Sequence, residues 1–286
     1  MPNDQTPAGW DVAHRPSGIT GPGPATVVAV ASVVGLGGFL YPFLLPLVGG
    51  AATTGAGGYA VAAPLIFALL TAFAALAIVA ELGGSGLANA KVVALLGVLV
   101  AIDATLRLVP TFLGASPIFL LIMLVGTVFG ASLGFQMGVL TLLLSGFLTG
   151  GVGPWLPYQM LAAGWVGLTA GWLPRPASPR RRILLLAAFG ALWGWLFGAL
   201  LNLSFWPFTA AGITAPGGLL WSPGLTLPET VSRYVRFYLA TSLAYDTFRA
   251  LGNAALVLTL GTPILRVLDR AHARFAWEPW EETEKV

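Results

Sequence analysis

The chain of 286 residues contains no cysteine, two histidines and two lysines, and only 9% of it is charged. Without cysteine there are no disulfides and no thiolate metal sites, and the redox compartment cannot be read. His14 and His272 fall in the polar tails. An intramembrane histidine is therefore not available for metal binding or acid–base work. Neither Lys91 nor Lys285 follows a glycine-rich loop, and no GxxxxGK[ST] segment occurs. The chain is not itself a P-loop ATPase. GxSxG and HExxH motifs are also missing, so nothing points to an enzyme, a cofactor or a metal centre.

Apolar residues make up 57% of the chain, and the mean hydropathy is +0.84. This composition is that of an all-α polytopic membrane protein. A helix needs about 20 apolar residues to cross the hydrocarbon core. Runs of that kind cover 26–48, 60–80, 91–112, 155–173, 183–205 and 235–262. The run 117–149 is too long for one span, at roughly 50 Å. The sequence GASLG at 130–134 offers a break, giving two short helices, 117–130 and 132–149. The total is then eight transmembrane helices.

Charge orients them. Arg175 and Arg180 to Arg182 form a basic loop, and Arg266, Arg270 and Arg274 follow the last span. Positive loops stay in the cytoplasm, which also makes them a poorer argument for nucleic-acid binding. Eight spans put both termini inside and the loop 206–233 outside. Trp206 and Trp221 of that loop read either as interfacial belt anchors or as part of a cap over a site. Residues 1–24, rich in proline and glycine, read as a disordered tail, and 266–286 as a second cytoplasmic tail.

Four ionisable side chains fall well inside spans: Asp103, Arg107, Asp246 and Arg249. Such groups are costly in a bilayer and face the bundle interior. Asp103 and Arg107 share a helix face at i,i+4, and Asp246, Arg249 and Asn253 form a second stripe. Span counting puts both aspartates near mid-membrane, Asp103 roughly 18 Å from its helix start. They read either as a polar site or as self-neutralising pairs that fix helix packing, and Asp103 could also meet Arg249. Gln136, Gln159 and Asn202 add amides, with Trp155 and Tyr158 beside Gln159. Pro154 and Pro157 suit the first turn of a helix opening outward. Ala90, Ala94, Gly97, Ala101 and Ala104 recur at helical spacing and form a thin edge that another helix could approach.

Three segments carry a resemblance to a known family: LLSGFLTGGVGPWLPYQMLAAGWVGLTAGWLP at 143–174, LLNLSFWPF at 200–208 and LATSLAYDTFRALGNAALVL at 239–258. They resemble the S component, the substrate-binding membrane subunit, of energy-coupling factor (ECF) vitamin transporters, and in particular its cobalamin-type members. The likeness runs from about residue 88 to 270. It implies a six-helix core over 88–265, preceded by two additional helices within 25–87, in a bacterial cell membrane. It implies a vitamin bound from outside and a partnership with a transmembrane coupling subunit and two ATPases. Substrate contacts would come from Trp155, Tyr158, Gln159, Gln136, Asn202, Trp206 and Tyr245. Docking on the coupling subunit would use Ala90, Ala94, Gly97 and Ala101. Another vitamin or a nucleobase as substrate, or a stand-alone ion-coupled transporter using Asp103 or Asp246, stays open at this point.

Overall fold

The computed structural model describes residues 22–44, 68, 87–109, 116–153, 155–206, 219–221 and 225–275. Among them are eight helices and no strand. In chain order they are α1 (Pro22–Leu44), α2 (Leu87–Leu106), α3 (Ile118–Phe129), α4 (Ala131–Leu148), α5 (Leu156–Ala170), α6 (Pro179–Phe205), α7 (Leu227–Thr241) and α8 (Leu243–Phe275). Three are long and apolar enough to cross a membrane: Ala131–Leu148, Pro179–Phe205 and Leu243–Arg274. The expected span 60–80 lies outside the described residues, apart from Ala68.

The expected break at 130–134 is present. Gly130 stands alone between α3 and α4 with φ +99°, a region that side chains rarely adopt. The chain folds back there, so that Gly126 of α3 meets Gly134 of α4. All 12 residues of α3 are buried, and the helix is only about 18 Å long at 1.5 Å per residue. It is the centre of the bundle, surrounded by α4, α5, α6, α8 and α2. Arg175 donates from Nε to Thr127 O at 2.8 Å and from Nη2 to Val128 O at 3.1 Å. These bonds occupy carbonyls at the C-terminal end of α3 that lack intrahelical partners.

Two antiparallel pairs frame this centre. In α4 and α5 the backbones touch: a Cβ on Gly167 would strike Gly134 O, and one on Gly138 would strike Ala163 O. In α6 and α8, Gly190, Gly194 and Gly198 lie at i, i+4 and i+8 against Asn253, Ala250 and Asp246. Helix α2 runs parallel to α4, with Asp103 beside Thr141 and Arg107 beside Ser145. Helix α1 runs antiparallel to α5. Trp165 Nε1 donates to Ser32 Oγ at 3.1 Å, and Phe39 meets Tyr158 edge-on at 5.0 Å. Thus α1 and α2 both start at the arginine-rich end.

The stretch 145–160 resolves into two helix ends. Helix α4 closes with Gly151 N–H on Gly146 O at 2.8 Å, Gly150 N–H on Phe147 O at 3.4 Å and Gly150 at φ +65°. This is a Schellman motif, and it explains the paired glycines. Trp155 is the N-cap of α5, and its Nε1 donates back to Gly151 O at 3.1 Å.

Two boundaries differ from expectation. The last span was expected over 235–262, but the helix is divided at Ser242. Helix α7 begins at a capping box in which Thr226 and Glu229 bond reciprocally. The Thr226 hydroxyl and N–H hold the Glu229 carboxyl below its ordinary range. The apolar residues of 235–241 belong to this amphipathic helix, which packs through Tyr234 and Phe237. Helix α8 then continues to Phe275, past the expected tail boundary at 266. Trp206 and Trp221 are buried with Phe237 in a small cluster of their own, so they are not exposed belt anchors.

The α4–α5 contact yields a sharp expectation. Gly167→Ala places a methyl against backbone that cannot swing away, and should cost about 1–3 kcal/mol or more. Gly97→Ala meets nothing within 4 Å and should be neutral or stabilising. Thermal unfolding of both variants in detergent checks this, and equal shifts would contradict the packing.

Candidate functional site

Several buried polar side chains gather at the end of the bundle opposite the arginine-rich loop 175–182. That end is formed by the C-terminal ends of α2, α4 and α6 and the N-terminal ends of α5 and α8. Two clusters lie there.

The first joins α2, α4 and α5. Thr141 Oγ1 donates to Asp103 Oδ2 at 3.0 Å. Arg107 donates to Ser145 Oγ at 2.9 Å and to Gln159 Oε1 at 3.2 Å. Asp103 is fully buried, and its Oδ1 has no hydrogen-bond partner among the described residues. The expected Asp103–Arg107 pairing is not made, because the guanidinium, one turn further out, reaches across to α4 and α5. Nor does Asp103 meet Arg249. Thr141 and Ser145 were not singled out from the sequence. Their i,i+4 spacing, in register with that of Asp103 and Arg107, is the signal that could have found them.

The second cluster joins α6, α7 and α8. Asn202 Nδ2 donates to Ser242 Oγ at 2.6 Å. Asp246 and Arg249 form a salt bridge at 2.5 Å, with side chains 2% and 11% exposed. Arg249 also donates to Gly194 O at 3.3 Å and stands over the Tyr245 ring at 5.1 Å. Asn253 Nδ2 donates to Gly190 O at 3.1 Å. The polar stripe of α8 is thus seated on bare backbone of α6, which is the packing role the sequence left open. Trp206 donates from Nε1 to Leu219 O at 3.0 Å and lies 5.2 Å from the Tyr234 ring.

Depth also differs from expectation. Asp103 lies one turn from the end of α2, and Asp246 is in the first turn of α8. Mid-membrane placement rested on helix boundaries that the break at Ser242 and the start of α2 at Leu87 revise. At its new position Asp246 faces the positive end of the α8 dipole.

The expected contact residues separate. Gln159 enters the first cluster, and Asn202 and Tyr245 enter the second. Trp206 packs beside α7. Trp155 is half exposed, whereas Tyr158 is buried against Phe39 of α1. Gln136 is buried towards the opposite end of α4, with Nε2 on Ser132 Oγ at 3.4 Å, apart from the other residues. Of the small-residue edge, Ala94, Gly97 and Ala101 are exposed on α2, while Ala104 is turned inward. The Ala90 side chain lies outside the described ones.

The described residues hold no cluster of three or more metal-binding side chains. What the two clusters offer is amide and hydroxyl hydrogen bonding, two guanidiniums, two carboxylates and aromatic faces. That inventory suits binding of an organic solute.

The model of the family "ECF transporter, substrate-specific component" matches residues 91–261, well over half the chain, and the chain belongs to that family. It is therefore a substrate-binding membrane subunit of a transporter. The match begins in α2 and ends within α8; α1 lies outside it. No curated protein and no solved structure gives a match.

The two aspartates are held differently, Asp246 by a cation and Asp103 by a hydroxyl. Arg249→Ala leaves a buried carboxylate unpaired and should cost about 3–5 kcal/mol. Asp103→Asn keeps an acceptor for Thr141 and should change stability by no more than about 1 kcal/mol. Unfolding of each variant in mixed micelles measures both; a large loss for Asp103→Asn would mean that its charge is held by a cation.

Proposed function

We propose that the chain is the vitamin-binding subunit of an ATP-driven importer, that it binds at the end opposite the arginines, and that its substrate is cobalamin or a related corrinoid. The observation that carries the first part is the family match over α2 to α8. A corrinoid is a large ring bearing several amides. Gln159, Asn202, Arg107, Tyr245 and Trp155 supply the amide, cationic and aromatic partners that such a molecule uses, and Trp206, fully buried with its Nε1 on Leu219 O, supports that end from behind. Gln136 and Tyr158 are left to packing.

In this reading the arginine-rich end is cytoplasmic by the positive-inside rule, so the polar clusters lie outward. The chain carries no nucleotide-binding loop. ATP-driven uptake therefore needs two separate ATPases, reached through a membrane coupling subunit. The exposed face Ala94, Gly97 and Ala101 is where that subunit would dock, since small residues let helices approach closely.

Native mass spectrometry of the protein from its own host tests the assignment. A retained corrinoid, together with a coupling subunit and two ATPases, is the expected result. Gradient-driven uptake by the chain alone in sealed vesicles would instead establish an ion-coupled carrier. Gln159→Ala and Arg107→Ala should each weaken corrinoid binding on the order of tenfold. Trp172→Ala, at the arginine-rich end, should leave it unchanged. Titration calorimetry measures all three, and equal effects would place the ligand elsewhere. Gly97→Leu should abolish co-purification of the coupling subunit while ligand binding persists.

A further inference from the structure

A cavity of about 200 Å³ opens at the arginine-rich end, between the N-terminus of α6 and the C-terminal half of α8. One water occupies roughly 30 Å³ in the liquid, so the space is large enough for a phosphate-sized group. Pro179, Arg182 and Ile183 of α6 line it, facing Leu265, Arg266 and Asp269 of α8.

Its electrostatics favour an anion. Arg182 binds Asp269 through two hydrogen bonds, at 2.7 and 3.1 Å, and the two charges cancel. Its Nε is buried without an acceptor among the described residues. Arg266 is exposed, and neither ion pair among the described residues includes it. It is thus the uncompensated charge of the lining. Ser178, the N-cap of α6, makes no side-chain capping bond. Pro179 has no N–H and the Arg182 N–H is bonded to Ser178 O at 3.0 Å, so in that turn only the N–H groups of Arg180 and Arg181 lack a side-chain acceptor, and neither residue lines the cavity. The helix start contributes the positive end of its dipole beside the cavity.

The surroundings favour a lipid as the source of that anion. Ile183 and Leu265 give the cavity an apolar wall. Leu184 of α6 and Leu260 and Val267 of α8 are exposed apolar side chains on the same two helices. Both helices are long and apolar enough to cross a membrane. The cavity lies near the end of each, where hydrocarbon gives way to water. Basic pockets between helices at such a boundary suit anionic headgroups.

We propose that this cavity seats the phosphate of an anionic phospholipid, with Arg266 as its donor, the positive end of the α6 dipole beside it, and the acyl chains lying along α6 and α8. The site is separate from the polar clusters at the other end. It does not depend on what is bound there.

The test is native mass spectrometry of the full chain in detergent, titrated with phosphatidylglycerol or phosphatidylcholine. The wild type should retain phosphatidylglycerol preferentially, on the order of tenfold. Arg266→Gln should remove that preference, whereas Arg266→Lys keeps most of it. Thermal unfolding without added lipid should be the same in all three. An unchanged preference in Arg266→Gln, or equal retention of the two lipids by wild type, would overturn the proposal. A third arm adds excess inorganic phosphate. Retained phosphatidylglycerol supports a lipid site, and its displacement would reassign the cavity to a free anion.

Discussion

The architecture depends on close contact between helix backbones. In a bilayer the lipid tails are as apolar as leucine, so burying leucine does not hold two helices together. Packing and interhelical hydrogen bonds must do it. The Gly134–Gly167 contact between α4 and α5, and the Gly190, Gly194 and Gly198 row between α6 and α8, supply that packing. Both polar clusters follow from it. Arg107 can bond Ser145 and Gln159 together only because α4 and α5 are this close. Asn253 and Arg249 can use the carbonyls of Gly190 and Gly194 only because no side chains stand in the way.

Charge is sorted along the bundle axis. At one end, arginines serve helix termini: Arg175 holds the final carbonyls of α3, and Arg182 ties α6 to α8 through Asp269. At the other, Asp103, Arg107, Asp246 and Arg249 are turned into the bundle and held by short polar side chains or by backbone, while the remaining charges among the described residues sit on α7. On the proposals made above, this asymmetry separates a solute-binding end from a surface-anchoring end. The same two helices, α6 and α8, contribute to both.

Much of this was legible in the sequence, for identifiable reasons. The α3–α4 break could be read because one run exceeded any bilayer and glycines marked the fold-back. The α4–α5 turn could be read because a Schellman end and an opening proline have strong local signatures. The family resemblance rested on 143–174, which holds the α4–α5 turn, with 200–208 and 239–258, and agrees with the family found at the level of the S component. The Ser242 break was missed because α7 is apolar enough along 235–241 to imitate the start of a span. That error carried through to the depth of Asp246. Spacing alone suggested that Asp103 pairs with Arg107. It could not say that Thr141 and Ser145 stand in register on a parallel neighbour and take each of them separately. Burial of Trp206 and Trp221 depends on the tertiary position of α7, which no local pattern encodes.

Helix α3 has a consequence for how the chain is made. Twelve buried residues are too few to be held by a bilayer on their own. The segment cannot settle as an independent span when it leaves the ribosome. It reaches its place only with α4, to which the single residue Gly130 ties it, and it stays there only when α5 and α8 close around it. The insertion unit is therefore a helical hairpin, and biogenesis of the bundle waits on the shortest of its described helices.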